Sequence, residues 1–362
     1  MFTTALVRNL INAFGYKTTK KIVVIESDDW GAIRMPSKKV YEDLIKKKYI
    51  DANDPFLKYD GMESGEDLQF LFETLSSVKD SENQSAKFTA NVIVANPNFD
   101  LIKADDYQNY HYELVTETFK KYPAHHNSFK LWIEGKENDL FVPQLHGREH
   151  VNVYKWLTAL QTKTPEFLAA FENDMYAVNA SIAAALSYNN QQSKESLNLI
   201  IQEGSAIFKE LFGHTSQSFI APNYTWDYSV EKALEQEGIA FLQGSKKQNQ
   251  PKLQGKLKTQ YHYSGQKNKL GQTYLVRNCL FEPSVAHHID YVAVCLKQIE
   301  NAFFWKKPAI VCSHRLNYVG YLDEVNRDKN LKQLEILLKA IVKKWPEVVF
   351  MSTPDLIKEM KQ

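Results

Sequence analysis

Ser27-Asp28-Asp29-Trp30-Gly31 follows Ile22 to Ile25, a β-branched apolar run, with Glu26 between them. A run of that kind reads as a buried strand. Two adjacent carboxylates where a buried strand surfaces are costly, because like charges a few ångströms apart repel. A cation or a shared proton relieves that repulsion. One reading is therefore a metal site in which Asp28 and Asp29 divide the labour, one binding the ion and the other handling protons. The competing reading is a solvated turn with Asp as the N-cap of the next helix.

His146-Gly-Arg-Glu-His150 is the second feature. Two His four apart can lie on one helical face, or flank a loop, and bind one ion through imidazole nitrogen. The plain alternative is a pair of surface histidines. The pair directly follows an apolar strand, as Asp28 and Asp29 do. Two His and one carboxylate form a three-ligand set that leaves room for water, as in catalytic zinc sites. His314, in AIVCSHRLNYVG, also follows an apolar run. It is either a satisfied core residue or a general acid, since its ordinary pKa lies near working pH. In SFIAPNYTWD, the Pro222-Asn223 turn can present a backbone N–H to a developing oxyanion. Asn223, Tyr224 and Trp226 would then contact a sugar, as would Trp30, although a turn with core aromatics fits equally. Arg277, Asn278 and Glu282, in LVRNCLFEPS, sit at another strand end. Arg277 and Glu282 are expected on the substrate side or as orienters of the ligands.

The elements that must position these residues alternate between short apolar runs and amphipathic stretches, which argues for a parallel α/β fold. Strands are expected at Ile22 to Glu26, Phe88 to Ala95, Leu140 to Leu145, Ser218 to Ala221, Ile239 to Gln243, Tyr274 to Cys279, Ala309 to Ser313 and Val348 to Met351. Helices are expected near Lys38 to Lys48, Glu66 to Ser77, Ala104 to Lys121, Val151 to Gln161, Pro165 to Phe212, Ser229 to Glu237, Val285 to Phe304 and Leu331 to Trp345. Asp51 to Gly65 reads as an irregular loop. Asp28, Asp29, Asn96, His146, Asn223 and His314 all stand just past a strand's C-terminal end. In a parallel barrel those ends share one face, which carries the active site. The 362 residues with 44% apolar content suffice for one large domain, 1–362, with insertions expected at 162–212 and 245–272. Lysine plus arginine (44) nearly balances aspartate plus glutamate (43), so no electrostatic pull towards nucleic acid is expected. Cys279, Cys295 and Cys312 form no CxxC, and no apolar run approaches the ~20 residues of a membrane span. The first twenty residues lack a secretory apolar core. The expectation is a cytoplasmic protein without membrane or nucleic-acid partners.

Together these residues resemble the polysaccharide deacetylases (family 4 carbohydrate esterases). SDDWG is similar to that family's paired-Asp motif, HGREH to its His-x-x-x-His motif, and Val311 to His314 to its late Leu-x-His motif. The order along the chain agrees, from about Ile22 to Met351. The resemblance implies a distorted (β/α)7-type barrel with helical insertions. It implies Asp28 as catalytic base, His314 as catalytic acid, and Asp29, His146 and His150 as ligands of a divalent metal, with zinc the expected ion. The substrate implied is an acylated carbohydrate. The third motif, Ile220-Ala-Pro-Asn223, lacks the family's arginine, so Arg277 or Arg148 is expected to substitute. The family's Asp-Trp motif has no match unless RNCLFEP occupies that region. Two other readings remain. HGREH also fits the inverted zinc-protease pattern His-x-x-Glu-His, with Glu149 as base on an unbroken helix. The missing arginine also suits a catalytically inactive carbohydrate-binding barrel.

Overall fold

Ile22 to Ile25 is apolar without alternation because the strand it begins is covered on both faces. A computed structural model describes residues 12–179 and 181–362. The expectation about a secretory leader falls partly on residues 1–11, outside the described residues. The main sheet contains β1 (Ile22–Trp30), β2 (Phe88–Ile93), β3 (Phe141–Gly147), β4 (Ser218–Ile220), β5 (Phe241–Gly244), β6 (Thr273–Val276), β7 (Cys279–Leu280), β8 (Ala309–His314) and β9 (Val349–Met351). Their order is β6-β5-β4-β3-β2-β1-β8-β7, with β9 alongside the start of β1. Every neighbouring pair is parallel.

The sheet curls until its two edges meet in one stretch of chain. β6 pairs with β5 at one edge and β7 with β8 at the other, and only Arg277 and Asn278 separate them. The Arg277 N–H donates to Gly244 O at 2.9 Å, and the Asn278 N–H to Ile310 O at 3.1 Å. Residues 273–280 thus act as one strand that changes partners in its middle. Counted so, seven strands surround the axis, and the architecture is the distorted (β/α)7-type barrel. Helices cover the outside. Gln191–Phe212 packs on β3, and Tyr291–Phe304 and Glu324–Lys344 pack on one another.

Four stretches differ from expectation. Ala104 to Lys121 is not one helix. It comprises the end of a helix (Phe99–Ala104), a short strand (Tyr112–Leu114) and a second helix (Val115–Lys121). Asp106 and Tyr107 take positive φ, which stops the first helix, and Tyr112–Leu114 pairs with Ala95–Pro97. Pro165 to Phe212 is helical only at Pro165–Phe171 and Gln191–Phe212. The Asn190 side chain caps the second helix through the Ser193 N–H, so an alanine-rich segment is left free to fold inward. The 245–272 segment contains a hairpin, Lys247–Pro251 with Leu257–Tyr261. The Asp51 to Gly65 loop contains a short helix, Pro55–Tyr59, capped by Asp54. The three cysteines are buried and free. Among the described residues no helix is long and apolar enough to cross a membrane.

Gly31 ends β1 with φ +84°, and a Cβ there would stand 2.7 Å from Ile93 O and 2.9 Å from the Trp132 ring. Left-handed backbone costs a non-glycine residue about 1–2 kcal/mol before any clash. Gly31→Ala should therefore lower unfolding stability by about 2 kcal/mol or more, read as a lower midpoint in urea. An unchanged midpoint would show that this turn is not constrained as described.

Candidate active site

Asp28 and Asp29 would point to opposite faces of a regular strand. Here they line one cavity, because β1 bulges between them. Ser27 pairs with Ala90 and Trp30 with Val92, so β1 carries one residue more than β2 over this span. Asp29 takes the strain, with φ 77°, a conformation that asparagine and aspartate tolerate best. The cavity, of about 150 Å³, is lined by Asp28, Asp29, His146, His150, His314 and Arg34, with Asn223 and Tyr224 on its wall. Ala177, Asn179 and Ala183 from the inward-folded segment also reach it.

Asp28 is clamped. Arg277 Nη1 and Nη2 approach its two oxygens at 2.7 and 2.6 Å, and Asn91 Nδ2 donates to Oδ1 at 2.7 Å. Burial works against the charge, but the Arg277 guanidinium outweighs it and brings the pKa down to about 2. Arg277 is held from behind by Glu26, itself bound by Gln243 and Thr353.

Asp29 Oδ1 lies 3.3 Å from His146 Nε2 and 3.1 Å from His150 Nε2. His146 Nδ1 is 2.9 Å from Ile220 O, a carbonyl that can only accept, so Nδ1 carries a proton. Burial, then Arg34, push His150 down to about 4. Burial would raise the Asp29 carboxyl, yet the Arg34 guanidinium foremost holds it well below the usual carboxylate range. One ligand atom from each of Asp29, His146 and His150 thus lies within 4.8 Å of the others, a group that could hold a metal ion.

Glu26, Asp28, Asp29, Asp60, Glu63 and Glu282 are buried carboxyls, set against Arg34, Arg277, Arg315 and the His314 ring. Burial pushes Glu63 up to about 7 despite Arg315. Arg34 Nη2 is 3.1 Å from Asp29 Oδ2 and lies 3.3 and 3.5 Å from the two ring nitrogens of His150. One carboxylate and two imidazoles form a donor set that a zinc-class ion accepts.

His314 faces Asp28 across the cavity, with Nε2 3.7 Å from Asp28 Oδ2. Its Nδ1 meets Glu282 Oε1 at 2.5 Å, and Asn317 Nδ2 donates to Glu282 Oε2 at 2.7 Å. Burial opposes the imidazolium, but Glu282 outweighs it and raises the pKa well above the ordinary value.

Several expected contacts lie elsewhere. Trp30 is in the core, edge-on to Phe141 at 5.1 Å, with its N–H on Ser27 Oγ, because the bulge turns it away from the cavity. Trp226 is buried with its N–H on Glu231. Arg277 and Glu282 do not line the cavity; they brace Asp28 and His314. The Tyr224 N–H is already donated to Ala221 O at 2.9 Å, so it is not an open oxyanion donor. Arg148 binds Glu149 and Glu203 and does not reach Asp28. HGREH spans the end of β3 and a loop, not the helix that an inverted protease motif requires. Asn96 braces the turn, its side chain binding Ile33 N and Gly31 O. Residues missed from sequence are Arg34, Asn91, Asp60, Arg315 and Asn317. Asn91 alone left a local signal, an amide inside an apolar strand.

No protein-family model and no curated protein matches this sequence. Solved structures do match in fold. A glycoside hydrolase/deacetylase from Parabacteroides distasonis aligns with TM-score 0.50 and 8% identity, over 92% of this chain and 70% of that one. PuuE allantoinase aligns with TM-score 0.49 and 10% identity, over 95% and 91%. The chain spans 40% of a 4-alpha-glucanotransferase from Thermococcus litoralis, which aligns over 94% of this chain with TM-score 0.45 and 10% identity. A polysaccharide deacetylase and a GH57-type branching enzyme are also among the matches. At these identities the likeness is one of fold, and the fold is that of the barrel glycoside hydrolases and deacetylases.

Proposed function

We propose that this protein is a metal-dependent hydrolase that removes an acyl group, acetate in the simplest case, from a carbohydrate. Asp29, His146 and His150 hold a divalent ion, and zinc suits one carboxylate and two imidazoles best. An ion there supplies Lewis acidity, polarising the scissile carbonyl and acidifying water. Asp28, ionised above about pH 2, takes the proton of the attacking water. His314, kept protonated by Glu282, gives a proton to the departing nitrogen or oxygen. Arg277 and Asn91 fix the base, and Asn317 and Glu282 orient the acid. Asn223 and Tyr224 contact the sugar. The cavity is small beside the ~300–1,000 Å³ of drug-sized sites, which suits a single acyl-bearing unit at the ion.

The observation that carries this reading is the convergence of Asp29 Oδ1 on both imidazole Nε2 atoms at 3.1 and 3.3 Å, with a carboxylate and an imidazolium of opposed pKa shift beside it. Paired groups pushed in opposite directions are the arrangement that base and acid roles require. The Arg277 clamp also meets the objection that motivated an inactive barrel, the missing arginine of the third motif.

Two measurements test it. Acetate release from N- and O-acetylated sugars should disappear on chelation and return with zinc. Asp28→Asn should keep its zinc and lose activity by roughly 10²–10⁴-fold, whereas His146→Ala should lose zinc. Full zinc content in His146→Ala, measured by plasma mass spectrometry, removes the ligand assignment. The second measurement is a pH profile. Glu282 raises the His314 pKa, so the protonated form persists to higher pH, and removing the carboxylate lowers that limit. Glu282→Gln should therefore move the alkaline limb of the profile to lower pH and leave the acid limb in place. An alkaline limb that stays put excludes His314 as the acid.

A further inference from the structure

The His314 ring faces two ways. Nε2 looks across the cavity to Asp28, while Nδ1 looks back towards Glu282 Oε1. That same Oε1 is 3.9 Å from Cys312 Sγ. Cys312 and His314 are two apart on β8, so their side chains share a face. The Phe281 N–H pairs with Cys312 O, which brings Glu282 alongside. A carboxylate oxygen, a sulfur and an imidazole nitrogen thus lie within 4.8 Å of one another. A set that includes a thiol selects zinc and its neighbours over magnesium or calcium.

Two donors stand beside the sulfur. Arg277 Nη1 and Tyr224 Oη each lie 3.4 Å from Sγ, and donors of this kind stabilise a thiolate. Burial holds the thiol proton on in the absence of an ion. Of the three, His314 stands in the wall of the cavity.

We propose that Glu282, Cys312 and His314 form a second site for a zinc-class ion, and that its occupation inhibits the enzyme. Binding releases the Cys312 thiol proton and the His314 Nδ1 proton to solvent, leaves Nε2–H in place and changes no oxidation state. An ion on Nδ1 prevents the imidazolium from forming and draws Glu282 away from its pairing role. The binding half of this proposal stands on the three side chains alone. The inhibitory half rests on the reading of His314 as the proton donor.

The test is a titration of the full-length protein with cobalt chloride, followed by zinc chloride in an acetate-release assay. Wild type should develop a thiolate-to-cobalt charge-transfer band in the near ultraviolet once cobalt exceeds the first site. Cys312→Ser should lack the band and keep the first ion. Excess zinc should depress wild-type acetate release several-fold and leave Cys312→Ser unaffected. Absence of the band in wild type, or its persistence in Cys312→Ser, overturns the site. A band in wild type with equal zinc inhibition of both proteins overturns the inhibitory role. A band accompanied by no acetate release from any acetylated sugar leaves the site standing and removes the proposed function instead.

Discussion

Two ionised carboxylates at adjacent positions, both buried, repel one another and resist desolvation. The end of β1 exists only because each is neutralised separately. Asp28 receives a bidentate guanidinium from Arg277. Asp29 receives Arg34 on one oxygen and faces two imidazoles on the other. The bulge makes this division possible. Without an extra residue in β1, the two side chains would stand on opposite faces of the sheet, and no single cavity would hold both.

Closure of the barrel and control of the Asp28 charge are one event. Arg277 lies where the closing strand changes partners, its backbone bound to Gly244 and its side chain between Glu26 and Asp28. The residue that joins the two edges of the sheet also holds Asp28 ionised. On the far side of the cavity the signs reverse. Glu282 follows the same strand, and its carboxylate holds a proton on His314. One segment, Thr273 to Glu282, therefore supplies both the cation that acidifies one group and the anion that makes the other basic.

Around Asp29 the charge is passed outward through Arg34, Asp60, Arg315 and Glu63, and the chain ends on the Gly31 N–H. A buried ladder of this kind is weak as a source of stability but strong as a source of geometry, since removing one rung leaves an uncompensated buried charge. It ties the turn after β1 to the segments at 60–63 and 315. It thereby fixes Asp29 beside His146 and His150.

Local sequence placed Asp28, His146 and His314 where apolar strands surface, with Asp29 and His150 close behind, and the structure brings these five to one cavity. Local sequence was enough, too, for the alternation of strands and helices and hence the barrel class. It misread segments whose conformation is decided by partners distant in the chain. Tyr112–Leu114 is a strand only because Ala95–Pro97 lies beside it, and the expected strand Tyr274 to Cys279 changes partners midway only because its two halves meet opposite edges of a curled sheet. The same distinction left Arg277 and Glu282 open between substrate contacts and orienting roles, whereas the structure has them bracing Asp28 and His314. Residue type at a strand end follows from sequence. Which of two buried charges a guanidinium meets, some 250 positions away, depends on how the barrel closes, because electrostatic pairing in a dry interior acts over a few ångströms of space and not along the chain.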